Sequence, residues 1–129
     1  VIFSTEPVPR GEYRDLVRSA DVGVAFYCPI PGLSLWQDNI RYIGLSSGKF
    51  AYYLSAGIPV LVNAGSTLPD LVASYGCGAS TDDPAITRPA IQRILADYDD
   101  RCHNAVACFN QLLDVEVAFP SVLEQLEAL

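Results

Sequence analysis

The residues best suited to chemistry stand in one run, Ser46-Ser47-Gly48-Lys49. Three small residues leave their backbone N–H groups accessible. A lysine follows where a helix begins. The open N–H groups and the dipole of a helix start attract an anion, and the ammonium adds a full charge. A phosphate is the natural ligand for such a set. The run is not a Walker-type nucleotide loop. Gly44-x-x-x-Gly48-Lys49 is one residue short, and Phe50 stands where that loop has Ser or Thr.

Other chemistry-bearing residues have plainer readings. Asp82 and Asp83 precede Pro84 and read as a solvated turn; paired carboxylates divide acid and base work only where their environments differ. His103, the single histidine, falls one step from the apolar face of its helix. Cys28, Cys77, Cys102 and Cys108 form no Cys-x-x-Cys pair and have one histidine to complete a zinc set. They read as reduced, mostly buried thiols of a cytoplasmic protein, so no metal and no cofactor is expected. The irregular stretch from Cys28 to Arg41 has two readings: Asn39 and Arg41 reach a ligand at the next loop, or the stretch is a surface loop anchored by Trp36.

The elements that must hold these residues follow from periodicity. Phe50, Tyr53, Leu54 and Gly57 fall at i, i+3, i+4 and i+7, one face of a helix, with Gly57 suited to its end and Pro59 barring its continuation. Tyr53 belongs to that face, and Tyr52 lies beside it. Ile58 to Val62 is a continuous apolar run, as in a buried parallel strand. Val1 to Ser4 and Val22 to Tyr27 read as further strands. Tyr13, Leu16, Val17 and Ala20 make a helix face between them, after a Pro- and Gly-rich loop from Thr5 to Gly11. Downstream, Leu68, Leu71, Val72 and Tyr75 repeat the helical spacing, with Pro69 in the first turn. Cys77 to Ser80 reads as a short strand. Thr87 and Asp100 are the expected caps of the next two helices, and Phe119, Val122, Leu123 and Leu126 mark a last one whose stripe should face its own core. Alternating strands and helices predict an α/β fold with a parallel sheet and flanking helices.

The run Ser47-Gly48-Lys49-Phe50-x-x-Tyr53-Leu54-x-Ala56-Gly57-x-Pro59-Val60 resembles the donor-site segment of GT-B glycosyltransferases, in particular those of group 1. The match extends from Val1 to about Thr81. The resemblance implies a Rossmann-like donor domain in which Ser46, Ser47, Gly48 and Lys49 bind the diphosphate of a nucleotide-sugar. It implies that Tyr52, Asn63, Gly65 and Ser66 stand near the donor ribose or sugar, and that Val8 and Pro9 stand near the nucleobase. Two positions depart from the family. Tyr52 occupies the register of the glutamate that binds the donor ribose, and Gly44 that of an earlier glutamate near the sugar. A non-catalytic binding module of the same fold is therefore the alternative, and no catalytic residue is assigned. In the family's strand order 3-2-1-4-5-6 the strands at Val1 and Val22 match the third and fourth. The resemblance thus implies a partial C-terminal domain without its first two strands or the N-terminal acceptor domain, and a sheet edge open to association. A response-regulator-like domain fits less well, since Ser4-Thr5-Glu6 offers a single carboxylate at the first strand end.

Composition agrees with one such domain spanning 1–129. Half of the 129 residues are apolar, enough for a core, and the net charge is −7. That acidity argues against nucleic acid or an anionic membrane as a broad partner. No apolar run approaches the roughly 18 residues read as a membrane span, and no signal peptide is evident.

Overall fold

A computed structural model gives the fold and describes residues 6–28, 39–40, 43–65 and 67–128. The strand expected at Val1 to Ser4, the stretch around Trp36, Arg41 and Ser66 lie outside the described residues. The described chain is α/β. Three short parallel strands, β1 (Gly23–Ala25), β2 (Val60–Val62) and β3 (Gly78–Ser80), lie side by side in the order β1-β2-β3. The register aligns Gly23, Val60 and Gly78 in one row and Val24, Leu61 and Ala79 in the next. Helices α1 (Tyr13–Arg18), α2 (Gly48–Ser55), α3 (Leu68–Tyr75), α4 (Pro84–Ala96), α5 (Tyr98–Leu112) and α6 (Val115–Glu127) flank the sheet.

Successive strand residues point to opposite faces, so the all-apolar β2 must be covered on both. Val60 and Val62 face Phe50 and Leu54 of α2, Leu68 and Val72 of α3, and Ala105 and Cys108 of α5, all fully or almost fully buried. Leu61 faces Ala90 and Ile94 of α4 on the other side. Burying Phe50 or Leu54 contributes about 2–3 kcal/mol each, which is what fixes α2 against the sheet. The expected end of α2 is present: Gly57 takes φ +73°, a left-handed value that favours glycine, and Pro59 follows. Gly76 ends α3 in the same way, at φ +64°.

Several expectations are corrected. Asp83, not Thr87, caps α4: its carboxylate accepts from Ala85 N–H at 2.8 Å, and Pro84 takes the first helical position. Thr87 lies inside the helix and donates to the Asp83 carbonyl at 3.3 Å. Asp83 is thus a helix cap and not part of a free turn. Asp100 lies in the first turn of α5 and does not cap it; the helix starts directly after α4, across Asp97 alone. α1 forms as expected, yet it buries only Val17 and leaves Tyr13 and Leu16 exposed, because a six-residue helix packed on α2 can hide one side chain of its face.

The largest correction concerns α6. Asp114 caps it, accepting from Glu116 N–H at 3.0 Å, but none of its residues is buried, and Val115 and Leu126 are 67% and 60% exposed. Its apolar stripe does not face the core, since α5 has already filled that side of the sheet. The segment Tyr98–Glu127 also reaches mean hydropathy 1.3 over an 18-residue window. The chain breaks there at Asp114, which is extended (φ −70°, ψ 117°), giving helices of 15 and 13 residues. Each is shorter than the ~20 residues a spanning helix needs.

Tyr53 of α2 lies over Gly23 so closely that a Cβ at Gly23 would overlap the phenol ring. Burial pushes the Tyr53 hydroxyl above its ordinary pKa of 10.0. Folding therefore favours the protonated phenol, and that contribution is complete below pH 10 and is lost as pH rises beyond it. The urea midpoint is expected to fall on going above pH 10, and to fall less steeply in Tyr53→Phe. Tyr98, also raised by burial, keeps some slope in the variant. An equal slope in both proteins would contradict the assignment to Tyr53.

Candidate functional site

The site is built where β1 ends and α2 begins. A helix start leaves N–H groups without intrahelical acceptors. In α2 two of them are satisfied locally. Ser47 N–H donates to the Gly44 carbonyl at 3.2 Å, and Phe50 N–H donates to Ser47 Oγ at 3.1 Å. The N–H groups of Gly48 and Lys49 remain, with no acceptor among the described residues. Gly48 has open space where a Cβ would stand, so the approach to this turn is clear.

Ser47 is almost fully buried, and its hydroxyl also shares a hydrogen bond with Tyr27 Oη. Tyr27, two residues past β1, connects the cluster. Its backbone N–H and carbonyl are both held by Asn63, at 2.8 Å each, which clamps the carboxyl ends of β1 and β2 together. The Lys49 ammonium stands 5.3 Å from the centre of the Tyr27 ring, a cation–π contact. Among the described residues no carboxylate pairs with Lys49; the recorded ion pair is Arg101 with Asp97. The positive end of α2 and the Lys49 ammonium are therefore held at the carboxyl ends of the strands, where ligands of open parallel sheets bind.

The expected site residues divide between two places. Ser47, Gly48, Lys49 and Asn63 come together around Tyr27. Gly65 is adjacent, since a Cβ there would stand 3.6 Å from Asn63 Nδ2. The Ser46 hydroxyl turns back to donate to the Ile43 carbonyl at 2.7 Å. Both serine hydroxyls thus have internal partners, which leaves N–H groups and the lysine as the donors toward an anion. Tyr52 and Val8 lie instead in a second hollow of about 460 Å³ with Arg10 and Tyr13. There the Tyr13 and Tyr52 rings meet edge to face, 5.3 Å between centres. Pro9 is exposed, and its carbonyl accepts from Glu12 N–H. Asn39 lines a small hollow with Phe26, Tyr27, Cys28, Ile40 and Ile43.

Four contributors were not legible as site residues. Tyr27 was read only as the end of a strand. The Asp82 carboxylate accepts from Ala64 N–H at 2.6 Å, which ties the loop after β3 to the loop after β2. With Thr81, Asn63, Phe26 and Cys28 it lines a hollow of about 320 Å³ across the strand ends. Arg10 and Tyr13 looked like loop and helix core; the signal available was an arginine and two aromatics without a buried partner. His103 is exposed, with Nδ1 2.7 Å from the Asp99 carbonyl, apart from all of these. Among the described residues no group of acidic, cysteine or histidine side chains could hold a metal.

Ser47→Ala removes the acceptor of Phe50 N–H and the partner of Tyr27 Oη. It is expected to destabilise the fold by about 1–2 kcal/mol, the cost of losing a helix cap. A chemical denaturation midpoint equal to wild type would show that the cap bond contributes nothing. Compared with protein-family models, with curated proteins and with solved structures, the chain matches none.

Proposed function

We propose that the chain is the donor-binding part of a GT-B glycosyltransferase, one that moves a sugar from a nucleotide-diphosphate sugar to an acceptor hydroxyl. The observation that carries this reading is the start of α2: the N–H groups of Gly48 and Lys49, without an acceptor among the described residues, and the Lys49 ammonium beside Tyr27 at the strand ends. The leaving group of such a transfer is a nucleoside diphosphate, whose charge grows as the glycosidic bond breaks. Fixed N–H donors and Lys49 would stabilise that growing charge. The acceptor is brought by another domain, for which the exposed apolar face of α6 is a fitting contact, and reduced thiols suit the cytoplasm. The 129-residue chain alone is expected to bind donor and to transfer no sugar.

Calorimetric titration with uridine and guanosine diphosphates, against the bare nucleosides, tests the reading. Binding of a diphosphate well above its nucleoside is expected. No binding of any nucleoside diphosphate removes the proposal.

One observation favours a non-catalytic binding module instead. A side chain at Gly44 would overlap Thr67 Oγ1, so the family's carboxylate would fit here only if Thr67 turned aside. Sugar turnover by the chain joined to its acceptor domain, tried with several donors, separates the two readings.

A further inference from the structure

Two of the four cysteines lie in one buried core cluster. Cys77 sits between Gly76 and Gly78, and α5 grips both neighbours. Asn104 Nδ2 donates to the Gly76 carbonyl at 3.3 Å, and Arg101 Nη1 donates to the Gly78 carbonyl at 2.6 Å. Arg101, Asn104 and Cys108 fall at i, i+3 and i+7, on one face of α5. The face that holds the backbone on either side of Cys77 therefore also carries Cys108. Both cysteines have no exposed surface and belong to one core cluster. Each thiol is the first influence on the other's acidity, raising Cys77 and lowering Cys108. The other two differ: Cys28 is exposed at the strand ends, and Cys102 is half-buried beside Tyr98.

We propose that Cys77 and Cys108 form a redox-sensitive pair that closes to a disulfide and staples the start of β3 to α5. The oxidant is a low-molecular-weight disulfide such as oxidised glutathione. The Cys108 thiolate attacks one glutathione sulfur and expels glutathione thiolate, leaving a mixed disulfide on Cys108. Cys77, losing its proton to solvent, attacks Cys108 Sγ and expels the second glutathione. The two protein thiols lose two electrons and two protons, and the oxidised glutathione takes them up as two thiols. Burial makes the exchange slow, because the contact between α5 and residues 76–78 must open to admit the reagent.

The bond closes a loop of roughly 30 residues in the unfolded chain, so it should raise Tm by about 5–10 °C. It lies at the amino end of β3, away from Thr81 and Asp82, so nucleoside diphosphate affinity should not change. The inference is thus independent of the donor-site reading.

The test holds the folded chain in glutathione buffers of increasing oxidised share, traps free thiols by alkylation, and maps the peptides by fragmentation. A Cys77–Cys108 linked peptide with the higher Tm is expected. Recovery of both residues as alkylated thiols in every buffer, or a link through Cys102, overturns it. Cys77→Ala and Cys108→Ala should each abolish the redox-dependent Tm difference; a variant that keeps the full difference also overturns it. Should neither variant fold, the wild-type peptide map decides alone.

Discussion

Gly78→Ala is expected to lower stability by about 3–4 kcal/mol, a drop of roughly 10–15 °C in Tm. The reason is local and steric. Gly78 opposes Val60 in the β2–β3 ladder, and a Cβ there would overlap the Val60 carbonyl. A backbone atom in the central strand cannot rotate away as a flexible side chain can. The ladder must spread, and β2 carries the buried residues on both faces of the sheet. Gly48→Ala is the matched control. Nothing lies within 4 Å of its added methyl, and alanine suits a first helical turn, so stability should hold or rise slightly. Thermal melts of the two variants beside wild type read the difference. A Gly78→Ala protein as stable as Gly48→Ala would mean that the strands lie further apart at this row than described.

That contrast marks what the sequence could carry. The strand at Val60, the helix from Gly48 and the helix from Leu68 were legible because each buries a regular pattern: a solid apolar run, or residues three and four apart. The end of α2 was legible because Gly57 and Pro59 act through their own backbone. The row Gly23–Val60–Gly78 was not, because register depends on which strands meet. The same limit hid the clamp of Asn63 on Tyr27, which spans 36 positions of sequence. By contrast, the Asp83 cap was available locally. Asp-Pro before an apolar stripe is a helix start, and Pro84 at the first helical position outweighs the capping propensity of Thr87.

The C-terminal helices separate pattern from burial. α5 and α6 have similar apolar spacing, yet α5 buries Ala105 and Cys108 while α6 buries nothing. Periodicity says which side of a helix wants cover and not whether this chain supplies it. For the site, the run from Ser46 to Lys49 at a helix start was readable from residue types alone. The use of both serine hydroxyls inside the protein was not, since a cap and a free ligand donor look the same in sequence.

Lys49→Ala is expected to weaken nucleoside diphosphate binding by about 1.5–3 kcal/mol, roughly 10- to 150-fold, the range for hydrogen bonds to charged groups. With both serine hydroxyls engaged internally, the two open N–H groups and Lys49 supply the attraction for phosphate at this turn. Removing the full charge of Lys49 should therefore cost more than removing any single neutral donor. Stability should change little. The side chain is exposed, its cation–π contact with Tyr27 is worth about 0.5–1 kcal/mol at such a site, and alanine is the better helix former. Affinity for the bare nucleoside should stay as it was, because the ammonium addresses phosphate and not base. Raising the salt should weaken the wild type more than the variant, since screening acts on the charge the variant lacks. Calorimetric titrations of both proteins with diphosphate and nucleoside, each with a melting curve, read all of this. Equal diphosphate affinities would take Lys49 out of the site. A large fall in Tm would instead make it a packing residue whose stem supports Tyr27.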